Sequence, residues 1–177
     1  MSKFICLPLL FLASAISAQP PLTPSGVSKL INEKGAFGAL QQIYENDHSW
    51  PELLHGIATG TKSWLSIAKT LRAVSDAGAS EQLDLAVGEA LEHRPENVLR
   101  FAVPAFSLEA VCGGPDVDDA RFDSYELSIR AITKRKEMVR RIDAPALRRP
   151  RNRCIQELEK SKAGIAYFYG KTNRLPN

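Results

Sequence analysis

The 177-residue chain has little of the chemistry on which enzymes usually depend. It holds three histidines and three cysteines. It also lacks the Gly-x-Ser-x-Gly, His-Glu-x-x-His and phosphate-cradling glycine-loop patterns, which mark hydrolases, zinc proteases and nucleotide-binding proteins. We therefore expect a protein that is not an enzyme and that carries no cofactor or metal.

Long apolar runs are scarce as well. After residue 18 no stretch holds the roughly 18 consecutive apolar residues that a membrane-spanning helix needs, so we expect no transmembrane span. The first 18 residues follow another pattern, in which Lys3 supplies a positive charge, residues 4–12 are apolar and small residues follow. This order is typical of a secretory signal peptide cleaved after Ala15 or Ala18. It predicts a periplasmic or secreted protein.

Loss of the signal peptide leaves two cysteines, Cys112 and Cys154. A cysteine pair in an oxidising compartment predicts a disulfide bond. Closing the loop between Cys112 and Cys154 lowers the entropy of the unfolded chain. On the chain-entropy model this stabilises the folded state by about 4 kcal/mol. A single disulfide and the absence of an Asn-x-Ser/Thr site favour a bacterial periplasm over a eukaryotic exterior.

Apolar residues recur at helical spacing almost throughout the chain, and no alternating strand pattern occurs. We therefore predict an all-α fold, either a helical bundle or a short solenoid of stacked antiparallel helices. It forms a single domain over residues 19–170, followed by a disordered tail over 171–177. A long helix is predicted over about 122–142, from the apolar positions Phe122, Tyr125, Ile129, Ile132, Val139 and Ile142. The Trp50 and Trp64 side chains are expected in the core.

Turn and capping residues predict where helices begin and end. Ser49, Thr61 and Ser80 precede apolar runs and are expected to cap helices, and Gly35 is expected to end the first helix. Pro95 and Pro145 are expected at helix starts. Proline has no backbone N–H, and an N–H at the first helical position would have no partner within the helix. Whether residues 148–153 form a helix or a loop stays open, since Pro150 interrupts them.

Between residues 49 and 101 the apolar residues fall into successive helical segments separated by glycine or turn residues. They are Trp50-Pro51-Glu52-Leu53-Leu54 with Ile57 and Gly60, Trp64-Leu65 with Ile67, Ala68 and Leu71, then Leu83, Ala86, Val87, Ala90, Leu91, Val98 and Leu99. This spacing resembles the antiparallel helix pairs of HEAT-like and other α-solenoid repeats. The resemblance implies a stacked-hairpin shape with a binding surface, and it implies no functional residue.

Two clusters of potential metal ligands are present in the sequence. The acidic segment 116–123 is similar to a calcium-binding loop, but it lacks the turn glycine and the final glutamate of an EF-hand. We expect Asp119 or Asp123 to cap the long helix instead. His48, Glu52 and His55 are spaced so that one face of a helix can present all three, and they remain the alternative for a metal site.

Charge is unevenly distributed along the chain. Residues 19–129 hold 8 Lys and Arg against 16 Asp and Glu, whereas residues 130–153 hold 10 against 2. A solvated helix face, partly neutralised by the acidic part of the chain, is one interpretation of the basic stretch. The other is a binding surface for an acidic protein partner, formed by Arg135, Arg140, Arg141, Arg148, Arg149, Arg151 and Arg153.

The C-terminal sequence Tyr167-Phe168-Tyr169 adds to this surface. Three consecutive aromatic side chains cannot all face one core, so Tyr167 and Tyr169 are candidate binding residues beside the arginines. Anionic lipid or an envelope polymer is the second class of partner. Nucleic acid is not expected, because the basic stretch lacks interleaved aromatic residues and export removes the usual partner.

These features together predict an exported, non-enzymatic protein-interaction module of the bacterial envelope. A more specific version is an immunity or inhibitor protein that neutralises a toxin enzyme. The alternatives are an envelope hydrolase that uses a carboxylate pair or a metal held by His48 and His55, and a periplasmic carrier of a lipid or sugar.

Overall fold

The computed structural model describes residues 21–103 and 105–173. Within these ranges the regular structure is entirely helical, with no strand, which confirms the all-α prediction. No helix in the described part of the chain is long and apolar enough to cross a membrane. The predicted signal peptide (1–18) and residues 174–177 of the predicted tail lie outside the described residues.

Eight α-helices follow one another along the described ranges. They are α1 Pro24–Tyr44, α2 Ser49–Ala58, α3 Lys62–Arg72, α4 Ala77–Glu89, the short α5 Pro95–Asn97 and α6 Leu108–Val111, α7 Tyr125–Arg140 and α8 Arg148–Phe168. Three 3₁₀ turns, Ala90–Glu92, Ala120–Phe122 and Pro145–Leu147, and a π turn, Val98–Ala102, lie between them. The predicted break at Gly35 is confirmed as a non-helical kink inside α1, where φ is 71°.

Helices α1 to α4 pack together, α1 against α3 and α2 against α4. Helices α7 and α8 pack against each other, and a connection as short as theirs makes two helices antiparallel neighbours. Helix α6 packs on α8, and the 3₁₀ turn after α4 packs on α7, so both groups share one continuous hydrophobic core. Its fully buried members include Leu53, Leu65, Leu83, Phe106, Ile132 and Leu158.

The predicted helix caps have mixed outcomes. Thr61 is the N-cap of α3, as predicted. Ser49 is instead the first residue of α2, and the Asn46 side chain accepts its N–H at 2.8 Å. Helix α4 begins three residues before the predicted cap Ser80, because the Asp76 carboxylate caps it. Several polar residues near each helix start can accept the first backbone N–H groups. The direction in which the chain enters the helix determines which of these residues does so.

The long helix α7 is shorter than the predicted range 122–142, and its N-cap is Ser124, which accepts the N–H of Leu127. The expectation that Asp119 or Asp123 caps it is wrong. Asp119 caps the preceding 3₁₀ turn through the N–H of Arg121 at 2.8 Å. Residues 148–153 are helical, with Pro150 in the first turn of α8, where proline is tolerated.

The predicted disulfide is confirmed. Cys112, directly after α6, is bonded to Cys154 in α8. Both residues are fully buried, so the bond fastens the α7–α8 pair to the rest of the molecule from inside the core.

Trp50 and Trp64 are both buried, as expected. The indole N–H of Trp50 donates to the Gln82 side chain at 2.8 Å, which links α2 to α4. The ring of Trp64 lies against Gly56, where an added Cβ atom would come within 2.6 Å of the ring. The close approach of α2 and α3 therefore depends on glycine at that position.

Candidate functional site

The predicted basic residues fall into two groups. Arg140, Arg141, Arg148 and Arg149 flank the short connection between α7 and α8. Because these helices are antiparallel neighbours, the C-terminal end of α7 and the N-terminal end of α8 lie at the same end of the pair. All four side chains belong to exposed residues. We call these four residues the basic end.

Three other predicted binding residues have partners within the fold. Arg135 is buried, and its Nε donates to Glu92 at 3.1 Å. Arg151 donates to the carbonyl oxygen of Ile142 at 2.7 Å. Arg153 donates to Glu109 on α6 at 3.2 Å. Arg151 and Arg153 connect α8 to the residue after α7 and to α6. Arg135 connects α7 to the 3₁₀ turn after α4 and lies in the interior rather than on a basic surface.

Glu92 is the centre of a small charge network. Its carboxylate also lies 2.9 Å from Nζ of the exposed Lys134. Burial lowers the pKa of the Arg135 guanidinium, and the adjacent Glu92 carboxylate opposes that change. Glu92 of the acidic part of the chain therefore neutralises Lys134 and Arg135 of the basic stretch. Such pairs agree with the interpretation of the basic stretch as a helix face that the acidic part of the chain partly neutralises.

The residues of the basic end are left largely without such neutralisation. The side chains of Arg148 and Arg149 make no hydrogen bond or ion pair among the described residues. The Arg141 side chain hydrogen-bonds only to the sulfur of Met138, at 3.8 Å, and the Arg140 side chain lies 4.0 Å from Glu159. The end of the α7–α8 pair therefore presents several guanidinium groups whose donors face solvent.

Arg148 and Arg149 also lie at an unfavourable place in their helix. They are the first two residues of α8, and its first turn contains no acidic residue. The N-terminus of a helix carries a partial positive charge, which favours carboxylates and disfavours cations by about 0.3–1 kcal/mol per exposed group. The helix dipole therefore favours an acidic residue over arginine at these positions.

The predicted aromatic residues lie far from the basic end. Tyr167 and Phe168 are exposed at the C-terminal end of α8, about 27 Å along the helix axis from Arg149 at 1.5 Å per residue. Tyr169 is half-buried, its ring 6.2 Å from that of Tyr125 between centroids. The structure therefore does not bring Tyr167 and Tyr169 together with the arginines into one surface.

A groove with a volume of about 640 Å³ lies between α2, α4 and the loop before α7. Helix α2 lines it with Pro51, Leu54, His55 and Ala58, at successive helical spacings. Helix α4 lines it in the same way, with Gly78, Glu81, Gln82, Leu85, Ala86 and Glu89. The loop closes one side with Asp116, Asp118, Asp119 and Arg121. Sequence analysis misses this groove, because its three walls are far apart along the chain.

Arg121 ties the loop to α4. Its Nη1 lies 3.1 Å from each carboxylate oxygen of Glu89, and its Nη2 lies 2.8 Å from Asp119. The hydrogen bond to Asp119 raises the pKa of Arg121, while the guanidinium lowers the pKa of Asp119. A guanidinium is thus held between two carboxylates at one end of the groove.

The three residues of the alternative metal site have separate environments. His48 is exposed and precedes α2, Glu52 accepts the N–H of Leu22 at 2.8 Å, and His55 lines the groove. Across residues 21–103 and 105–173, no group of three His, Cys, Asp or Glu side chains is arranged to hold a metal ion.

No protein-family model, curated protein or solved structure matches the chain. The resemblance of residues 49–101 to α-solenoid repeats stays a prediction about the spacing of helix pairs.

Proposed function

We propose that this chain is an exported, non-enzymatic protein-binding module of the bacterial envelope. It binds an acidic surface of a partner protein through the basic end. The position of Arg148 and Arg149 is the observation that carries this proposal. Both residues are exposed and have no ion pair among the described residues. They lie at the N-terminus of α8, where the positive end of the helix dipole disfavours cations. Residues that break a local stability rule without compensation are typical of functional sites.

The chemistry of arginine favours a carboxylate-bearing partner. A guanidinium presents a rigid fork of donors that pairs bidentately with a carboxylate, and it is weakly hydrated for an ion. Such pairs give specificity and accelerate association more than they raise affinity. Four such groups at one end of a helix pair make a compact patch for an acidic protein surface.

The specific version of the proposal is an immunity or inhibitor protein that neutralises a toxin enzyme. A small, disulfide-fastened fold with an exposed cationic end suits the blocking of an acidic active-site cleft. Deletion of the gene, together with exposure to toxins encoded beside it, tests this version. Increased sensitivity to one toxin supports it, and unchanged sensitivity to all of them contradicts it.

Capture of partners from the host's own envelope and secreted fractions tests the general proposal. The disulfide-intact protein is compared with the triple variant Arg141→Glu, Arg148→Glu, Arg149→Glu. The matched control is Lys29→Glu, Lys34→Glu, Lys69→Glu, which makes the same change in net charge at exposed residues of α1 and α3. We expect a stoichiometric acidic protein with the wild type and the lysine control, and its loss with the arginine variant.

Three results would contradict the proposal. Equal capture by the arginine variant and the wild type would show that the basic end is not the contact. Equal loss in both variants would show that only net charge matters. Binding to anionic lipid vesicles with no protein captured would assign the basic end to a membrane surface instead.

A further inference from the structure

The groove between α2 and α4 has the shape of a binding site for an extended chain. Its wall on α4 runs from Gly78 to Glu89, about 16 Å at 1.5 Å per residue. Its volume of about 640 Å³ lies within the range of known ligand sites, roughly 300–1,000 Å³. An extended peptide of five residues, at about 3.3 Å per residue, has a matching length.

The floor of the groove is apolar. Leu54 of α2 and Leu85 of α4 face the groove and are half-buried, and Ala58 and Ala86 lie beside them. Half-exposed leucines on facing helices leave apolar area that an occupant can cover. The middle of the groove is therefore suited to an apolar side chain.

The rim of the groove is acidic at both ends. Glu81 and Asp118 make no ion pair among the described residues, and the Asp116 carboxylate accepts only the backbone N–H of Asp118, at 2.9 Å. Arg121 is the single Lys or Arg among the lining residues, and Glu89 and Asp119 already bind it. The remaining carboxylates carry negative charge that the described part of the fold does not compensate.

Arg121 shows that the groove accommodates a guanidinium. Its Nη1 contacts both oxygens of Glu89, and its Nε and Nη2 contact Asp119 at 3.0 and 2.8 Å. This side chain comes from the loop and is largely exposed at 62%. A cation of a second molecule can bind the neighbouring carboxylates in the same way.

We propose that the groove binds an extended peptide segment of a partner protein that bears two basic side chains four positions apart. One basic side chain binds Glu81, and the other binds Asp118, whose loop Arg121 fastens to Glu89. Glu81 and Glu89 are about 12 Å apart along α4, and residues i and i+4 of an extended chain are about 13 Å apart and point to the same side. The residue between them, at i+2, points to the same side and meets the apolar floor. This inference is independent of the proposed function, because none of the lining residues belongs to the basic end.

Calorimetric titration of the disulfide-intact protein with three capped seven-residue peptides tests the proposal. The first peptide is alanine except for lysine at its second and sixth positions and leucine at its fourth. The second replaces both lysines with glutamate, and the third keeps the composition of the first but places the lysines next to each other. We expect the first peptide to bind at least about tenfold more tightly than either of the others.

Paired protein variants locate the binding. The double variant Glu81→Gln, Asp118→Asn is expected to weaken binding of the first peptide about tenfold. The matched control Glu137→Gln, Asp143→Asn makes the same charge change at exposed residues outside the groove, and it is expected to leave the affinity unchanged. Circular dichroism of each variant checks that the fold is intact.

Three results would overturn the proposal. Equal weakening in both variants would show that the peptide responds to the overall negative charge and not to the groove. Equal affinity for the first and third peptides would show that the spacing of the two lysines does not matter. Salt-sensitive self-association of the protein alone, lost in Glu81→Gln, Asp118→Asn, would assign the groove to a second copy of this chain. The first two results do not involve the basic end, so on them the two proposals fail separately.

Discussion

The guanidinium of Arg135 in α7 is buried and donates from Nε to Glu92 across 3.1 Å. Glu92 belongs to the 3₁₀ turn that follows α4, so this pair connects the acidic first part of the chain to the basic stretch. Removal of one partner of a buried ion pair leaves the other partner unpaired, and this cost exceeds the value of the pair itself.

Substitution Arg135→Ala is therefore expected to destabilise the protein strongly. Breaking a buried pair costs about 3–5 kcal/mol, and the lower part of that range applies because Lys134 still lies 2.9 Å from Glu92. Urea unfolding measures the change in the free energy of unfolding. The control Lys134→Ala removes an exposed cation from the same carboxylate and is expected to cost less than about 1 kcal/mol. Similar losses in the two variants would contradict the assignment of Arg135 to the core.

The double variant Arg148→Glu, Arg149→Glu is expected to stabilise the fold while it abolishes partner binding. Glutamate in the first turn of α8 complements the helix dipole, so each replacement is worth about 0.3–1 kcal/mol at low salt. Thermal unfolding at low and high salt measures this gain, which added salt should diminish. A loss of stability in the variant would show that these arginines support the fold.

Two glycine substitutions are expected to have opposite effects. In Gly56→Ala the new Cβ comes within 2.6 Å of the Trp64 ring, and such overpacking costs about 1–3 kcal/mol. In Gly164→Ala, within α8, the new Cβ meets nothing within 4 Å. That substitution should stabilise the protein by about 0.5–1 kcal/mol, because alanine loses less backbone entropy in a helix. Chemical unfolding of both variants checks the sign of each change.

Stability is expected to fall in acid. Hydrogen bonds from Arg121 lower the pKa of Asp119, and a hydrogen bond from Lys136 lowers the pKa of Glu159. A carboxyl whose pKa is lower in the folded state adds stability above its unfolded pKa, and this stability is lost as the pH falls through the folded value. The free energy of unfolding should therefore decrease below the ordinary carboxyl values of 3.8 and 4.5.

The variant Asp119→Asn, Glu159→Gln tests the origin of this acid sensitivity. Urea titrations at pH 7, 5, 4 and 3 should show a smaller loss of stability in the variant than in the wild type. The exposed residues Glu137 and Asp123 have no ion pair among the described residues. Their replacement by Gln and Asn serves as the control, and an equally reduced loss in that control would contradict the prediction.

The helical architecture and the disulfide could be predicted because their signals are local or compositional. Apolar spacing marks α2, α3 and α7 directly in the sequence, and two cysteines remain after the predicted leader. The helix starts were harder, since several polar residues precede α2 and α4, and only the backbone geometry selects Asn46 and Asp76 over the serines.

The sites were less predictable than the fold. Arg135 continues the buried stripe of α7, three residues after Ile132 and four before Val139, and this spacing was the signal of its burial. The groove has no such signal, because residues 51–58, 78–89 and 116–121 meet only through tertiary packing. Local sequence patterns also give no sign of ion pairs between residues that are far apart in the chain, such as that of Arg153 with Glu109.

Photo-crosslinking in the native host tests the central claim most directly. A photoreactive amino acid replaces Ala146 in one strain, an exposed residue of the connection between Arg141 and Arg148, and in a second strain it replaces Lys69, an exposed residue of α3. The account predicts a discrete crosslink to one acidic protein from position 146 and none from position 69. A crosslink to a protein from position 69 alone, or the absence of any protein crosslink from position 146, would contradict it.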